Sequence, residues 1–197
     1  MLRLPHTARK QLVGCTIAFG LPHGIVMNLC HSATLALAYN TLTSHMQSDV
    51  FRLFLLEDDE NDAFMIQRAI DRSGIPCKWT RFYEPTAAIE ALTNAQRPGE
   101  VPHLILTDLK MPRMSGLDFI KWLRQSRFSY LPIIMLSGSS LPEDILAAYR
   151  SGTNSFSTKP LNVHDLDEIV RTVLKYWKDI CQTPTSVLQT ASHLCDK

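Results

Sequence analysis

Cysteine is scarce and unorganised in this chain of 197 residues: the five present, Cys15, Cys30, Cys77, Cys181 and Cys195, are odd in number, widely spaced and form no CxxC pair. That argues against a disulfide-stapled scaffold and a zinc ribbon, and predicts reduced thiols in a cytoplasmic protein. Net charge is nearly absent too: 20 lysines and arginines stand against 19 acidic residues, a balance of +1. No global field then recruits nucleic acid or an anionic membrane, and recognition has to be local and shape-specific. A long unbroken apolar run is also missing. Arg3, Arg9 and Lys10 precede an apolar stretch from Gln11 to Tyr39, and Ala36-Leu37-Ala38 imitates a cleavage site, but Pro22, His23, Gly24, Asn28 and His31 interrupt it. A membrane span or signal core would mostly avoid these, because unpaired polar groups are costly in hydrocarbon. A membrane role is therefore not expected, and residues 1–49 read as a poorly ordered extension, with Met46 just ahead of the first strand.

What is there is ordinary globular material, 45% hydrophobic and 20% charged, enough for one domain with tails. Residues 50–180 hold that domain, without repeats, low-complexity tracts or Gly/Ser linkers, and residues 181–197 form a tail that loses periodicity. Short apolar runs alternate with helix-period segments, the pattern of βα units around a parallel sheet. The strands expected are Phe51 to Leu56, Lys78 to Tyr83, Leu104 to Thr107, Ile133 to Leu136 ending in Ser137, and Asn154 to Thr158. The first helix, about Asn61 to Ser73, is expected to bury Phe64, Ile66, Ala69 and Ile70 before Gly74 closes it. Pro85 opens a second helix carrying Ala88, Ile89 and Leu92, Gly116 to Gln125 a third, and Pro142 to Gly152 bounds a fourth. The last is strongly patterned, with Leu166, Ile169, Val170, Val173, Leu174 and Trp177 at steps of three and four.

Chemistry gathers where the strands end. Glu57-Asp58-Asp59 follows the first strand, Asp108 the third, Ser137 closes the fourth, and Lys159-Pro160 follows the fifth. In an open parallel sheet these carboxyl ends are where ligands bind. A carboxylate accepts a phosphoryl group only if charge repulsion is offset, so such a site needs a cation and a basic side chain. Asp58 and Asp108, with a backbone carbonyl near Lys110, offer hard oxygen donors suited to magnesium, and Glu57 can act through a bound water. Lys159 brings a point charge to an acyl phosphate, and the Ser137 hydroxyl can donate to a phosphoryl oxygen. For Asp59 the plainer role of capping the first helix is expected.

The segments Leu-Leu-Glu-Asp-Asp, Leu-Thr-Asp-Leu-Lys-Met-Pro-Arg-Met-Ser-Gly, Ile-Met-Leu-Ser-Gly and Ser-Thr-Lys-Pro, in that order, resemble the receiver domain of two-component response regulators. Agreement of four motifs in order, spacing and strand-end placement makes the resemblance specific. It implies an α/β fold, a doubly wound five-stranded parallel sheet of flavodoxin-like (βα)5 type. It implies a phosphoryl acceptor at Asp108, magnesium held by Glu57, Asp58, Asp108 and the Lys110 carbonyl, phosphate contacts from Ser137 and Lys159, and an aromatic switch at Phe156. A cis peptide bond at Pro160, aiming the lysine inward, is implied as well. Ser137-Gly138-Ser139-Ser140 and the ending Tyr176-Trp177 look like the stand-alone regulators that partner bacterial phytochromes. From that follow a sensor histidine kinase, of phytochrome type, as partner and a homodimer through the last strand and helix.

An output domain in cis is not expected, since the tail is too short for a helix-turn-helix module, and the chain is not read as an enzyme. Two rivals stand beside this reading. A phosphorylation-independent scaffold could use the same fold, although the retained acidic pair, Asp108, Ser137 and Lys159 count against it. An aspartate-nucleophile phosphatase of the haloacid dehalogenase type would need a second aspartate two residues after the nucleophile, where Lys110 stands instead. Phe156 itself lacks the hydroxyl of the family's commoner tyrosine, so a switch there relies on ring burial.

Overall fold

The computed structural model describes residues 50–184. The expectations for residues 1–49, and for the tail beyond Pro184, lie outside the described residues. In chain order come β1 (Phe51–Leu56), α1 (Glu60–Arg72), β2 (Cys77–Phe82), α2 (Pro85–Asn94), a 3-10 turn (Pro98–Glu100), β3 (Leu104–Thr107), α3 (Gly116–Gln125), β4 (Ile133–Ser137), α4 (Pro142–Ser151), β5 (Ser155–Thr158) and α5 (Val163–Lys175). A π-helical turn, Tyr176–Ile180, continues α5. The strands form one parallel sheet in the order β2-β1-β3-β4-β5, the doubly wound arrangement expected.

Strand alternation divides the core into two layers. Phe54, Leu56, Ile105, Ile133 and Met135 face one side, where Ala88 and Leu92 of α2, Phe119, Ile120 and Leu123 of α3, and Ala148 of α4 cover them. Leu53, Leu55, Leu104, Leu106, Ile134 and Leu136 face the other, beneath Ile66, Ala69 and Ile70 of α1 and Leu166, Val170 and Leu174 of α5. β3 and β4 are buried along their whole length, which is why those two runs carry no polar face.

Local chemistry sets the helix ends. The Asp59 carboxylate accepts the Asn61 and Asp62 N–H groups, each at 2.9 Å, and so starts α1. Pro85 and Pro142 occupy the first turns of α2 and α4. Gly74 and Gly152, at φ of 67° and 101°, close α1 and α4 in the left-handed region.

Three details depart from expectation. Phe64 is 55% exposed, with Arg68 over its ring at 5.7 Å, while the small Ala63 takes the buried place. Phase decides this: Ala63, Ile66 and Ile70 recur at steps of three and four, and Phe64 falls off that stripe. β2 runs one residue earlier than expected, which leaves Tyr83 outside it beneath the Arg81 guanidinium at 3.9 Å. No peptide bond among the described residues is cis, so the Lys159-Pro160 bond is trans. Of the aromatic pair ending the last helix, Trp177 packs on the core and Tyr176 is exposed. Among the described residues, no helix is long and apolar enough to cross a membrane.

Candidate functional site

Sheet register brings the strand tips level. Leu56 is paired with Thr107 and Ser137 with Thr158, so Glu57, Asp108 and Lys159 each leave the sheet at the same edge. The Asp108 N–H donates to the Leu56 carbonyl at 2.9 Å, and the Lys159 N–H donates to the Ser137 carbonyl at 2.7 Å. The chain turns immediately after Asp108, where its Oδ2 accepts the Lys110 N–H at 2.6 Å. Further round that loop, Arg113 sits at φ 66° in a turn closed by the Met114 N–H on the Pro112 carbonyl at 2.7 Å, and pairs with Glu84. Gly116 then passes so close to Asp108 that a Cβ there would lie 2.0 Å from the Asp108 carbonyl oxygen. Only glycine permits that approach.

The Lys159 ammonium is the hub. Its Nζ lies 2.6 Å from Glu57 Oε2, 2.7 Å from Asp62 Oδ2 and 3.1 Å from Asp108 Oδ1. Glu57 is 2% exposed and Asp108 8%. Burial pushes the Glu57 carboxyl up to about 7; Lys159 pulls the other way, and Asp108 and Asp62 add repulsion. For Lys159, burial acts to lower the value, but hydrogen bonds to Asp62 and Glu57 outweigh it and raise the ammonium above the ordinary lysine range. Geometry therefore supports a charged Lys159 shared among three carboxyl groups.

Of the residues singled out from sequence, the structure joins Glu57, Asp108 and Lys159 directly. Ser137 is buried one strand away, its Oγ accepting the Ser139 N–H at 3.3 Å. Asp58 is half-buried at the tip of β1, and Lys110 contributes its N–H while its side chain is exposed. Phe156 is half-buried, its ring packs against the core, and its N–H donates to the Tyr149 hydroxyl at 3.3 Å.

Two residues were missed. Asp62 enters from the first turn of α1, four residues after Asp58; that one-turn spacing was the available signal. Arg81 of β2 braces the acidic loop, donating to the carbonyls of Glu57 (2.9 Å), Asp58 (3.1 Å) and Asp59 (3.2 Å) and pairing with Glu60 at 2.9 Å. Nothing but its place on an alternating strand marked it.

The donor set is all oxygen: three carboxyl groups (Glu57, Asp62, Asp108) meet one ammonium, and Asp58 stands next to Glu57 at the tip of β1. That excess of negative charge fits a hard divalent cation. Among the described residues, however, no three acidic groups already converge as a cation cage; Lys159 is what links Glu57, Asp62 and Asp108.

Known proteins share this frame. The chain is 30% identical over 131 residues to the probable methanogenesis regulatory protein FilR2 of Methanothrix harundinacea, covering 66% of this chain and 84% of FilR2. It is 26% identical over 140 residues to the response regulator Rcp1 of Synechocystis, covering 68% of this chain and 93% of Rcp1. Rcp1 has been crystallised in a Mn2+-bound form, which superposes with a TM-score of 0.60. The phosphorylated cyanobacterial phytochrome response regulator RcpA superposes at 0.61, with 28% identity over 68% of this chain and 98% of that one. By contrast, the chain spans just 25% of the transcriptional regulator NtrC of Escherichia coli, at 25% identity. Residues 53–171 match the response regulator receiver domain, and with the sheet order and strand-end carboxylates already described, the chain belongs to that family.

Proposed function

We propose that this chain is a response regulator in which Asp108 accepts a phosphoryl group from a partner histidine kinase. The observation that carries the reading is the Lys159 ammonium 3.1 Å from Asp108 Oδ1 in a buried, acid-rich sheet edge. A carboxylate oxygen of Asp108 attacks phosphorus, the P–N bond of the donor phosphohistidine breaks, and the imidazole leaves with the bonding pair. The Lys110 N–H on Oδ2 fixes the carboxylate plane during attack. Lys159 shifts from carboxylate to phosphoryl oxygen, and the Ser137 hydroxyl donates to a second phosphoryl oxygen. Glu57, Asp58, Asp108 and the Lys110 carbonyl would hold Mg2+. When bound, the metal offsets the charge of the incoming phosphoryl group against the acidic cluster.

The switch works through the β4–α4 loop. Ser139 donates its N–H to Ser137 Oγ and its own hydroxyl to Asp144 Oδ2 at 2.5 Å, so displacement of Ser137 is felt at the start of α4. Phe156 then turns inward and changes the surface of α4, β5 and α5. Homodimerisation through β5 and α5 belongs to this reading, with exposed Leu161, Val163, Tyr176 and Ile180 as apolar surface for it. The partner kinase is taken to be of phytochrome type, on the likeness to RcpA.

The test is intact mass of the full chain after incubation with magnesium and a small acyl-phosphate donor, beside Asp108→Asn. One added phosphoryl group on the parent alone is expected. No addition, either from that donor or from a histidine kinase, would leave the scaffold reading in place of the switch.

A further inference from the structure

Lys159 has three ammonium hydrogens, and in the resting structure its two shortest contacts go to Glu57 Oε2 and Asp62 Oδ2, leaving Asp108 the longest of the three. Glu57 and Asp108 belong to the set already assigned to the phosphoryl acceptor site; Asp62 does not. It stands on a different element, the first turn of α1, and its place is fixed by its own N–H, which donates to the Asp59 carboxylate at 2.9 Å. Its carboxylate is 47% exposed, so it reaches the ammonium from the solvent side, whereas Glu57 is buried. We infer that Asp62 is a positioning residue: it holds the Lys159 ammonium toward α1 in the unphosphorylated protein and must release it when a phosphoryl group arrives on Asp108.

This inference rests on the function proposed above. The three ammonium hydrogens already face three carboxyl groups in the resting structure, so a lysine that moves to a phosphoryl oxygen beyond Asp108 changes its line to Glu57 and Asp62, and a charge-assisted hydrogen bond weakens as its hydrogen leaves that line. The bond to Asp62 is the one most easily surrendered, since water can solvate its exposed carboxylate after release. A half-exposed pair of this kind has modest worth. Its loss therefore favours the phosphoryl-bound state by roughly two- to five-fold rather than by orders of magnitude. Asp62 thus sets how readily the lysine is handed over, without touching the phosphoryl group.

The test uses the full chain and three variants, Asp62→Asn, Asp62→Glu and Glu60→Gln. Glu60 lies on the same helical turn and pairs with Arg81, so Glu60→Gln removes an equal charge without touching Lys159. The first readout is the 15N resonance of the Lys159 ammonium in metal-free protein at neutral pH, visible when its hydrogens are held in ion pairs. The second is affinity for beryllofluoride with magnesium, a mimic of the acyl phosphate, followed by 19F NMR. Asp62→Asn should weaken or shift the ammonium resonance and tighten beryllofluoride binding two- to five-fold. Asp62→Glu should restore the resonance, and Glu60→Gln should leave both readouts as in the parent. An unchanged ammonium resonance in Asp62→Asn, or equal tightening in Glu60→Gln, overturns the inference, the latter because charge alone would then explain it. If the parent binds no beryllofluoride, the proposed function fails, while the ammonium resonance still decides whether Asp62 holds Lys159.

Discussion

Replacing Gly116 by alanine sets two known effects against each other, and the geometry decides between them. Alanine is the better helix former by up to about 1 kcal/mol, and Gly116 opens α3 without a left-handed φ, so propensity alone favours the substitution. The added Cβ, however, would lie 2.0 Å from the Asp108 carbonyl oxygen, 3.1 Å from its carbon and 3.2 Å from Thr107 Oγ1. Two of these are backbone atoms, which cannot rotate away. A tolerable contact of about 3 Å or more requires the start of α3 and the end of β3 to separate by roughly 1 Å. Overpacking of this kind costs about 1–3 kcal/mol. The hydrogen bond from the Gly116 N–H to the Leu109 carbonyl, 2.9 Å long, is strained at the same time, for about 1 kcal/mol more. The net expectation is a loss of about 2–3 kcal/mol, a fall in melting temperature of roughly 5–10 °C for a domain of this size. Because the displaced group is the acceptor itself, labelling of Asp108 by an acyl phosphate should also slow by about tenfold or more. Thermal and urea unfolding of the full chain provide the assay. Gly99→Ala is the control, since nothing lies within 4 Å of a Cβ there. A melting temperature at or above that of the parent for Gly116→Ala would refute the reasoning.

Two further outcomes follow from charges placed inside the fold. The folded chain holds the Glu57 proton up to about pH 7, whereas the unfolded chain releases it near 4.5. The unfolded state therefore binds fewer protons between those values, and stability present below the lower one is lost as pH rises through about 7, by about 3 kcal/mol at most. Urea unfolding of metal-free protein between about pH 5 and 8 should show this slope. Glu57→Gln should flatten it, and a slope of the opposite sign would count against a buried, proton-holding Glu57. Arg124 donates to the carbonyls of Gly152 (2.8 Å), Ser129 (2.6 Å) and Leu131 (2.9 Å) and to Asn154 Oδ1 (2.9 Å), tying α3 to the loops that lead into β4 and β5. Arg124→Ala should cost about 2–4 kcal/mol, and Arg124→Lys most of that, because an ammonium lacks the fork that meets four acceptors. A neutral lysine variant in chemical denaturation would show that charge, not shape, is what the site uses.

Much of this architecture is legible in the sequence because parallel strands buried on both faces leave uninterrupted apolar runs, and each run stops at the residue that meets solvent or ligand. Leu104 to Thr107 followed by Asp108 is such a case, and the bounds of β3 and α3 come out as the spacing predicts. The errors arise where one residue's bulk outweighs its phase. Phe64 draws attention as a large apolar side chain, yet the stripe that meets the sheet passes through Ala63. At the site, the residues that end strands are readable one by one. Asp62 and Arg81 are not, because their roles exist only across the fold: Asp62 meets a lysine 97 positions away, and Arg81 gathers carbonyls from a loop more than 20 positions before it.

β5 lies at the margin of the sheet, paired with β4, and Lys159 directly after it is, among the described residues, the one cation on which three acidic side chains converge. The bond from Lys159 to Glu57 closes a separation of 102 positions in the chain, so it is among the most distant pairings in the domain. Such contacts cost the most chain entropy to close and come late in folding. During synthesis, Glu57, Asp62 and Asp108 all emerge before the residue that neutralises them. A chain that has built its first four strands but not docked the last is an acidic pocket without its counter-charge, and it repels the very group it is proposed to accept. On the proposed function, reactivity at Asp108 would report completion of the whole sheet: the margin strand would certify that everything before it has folded.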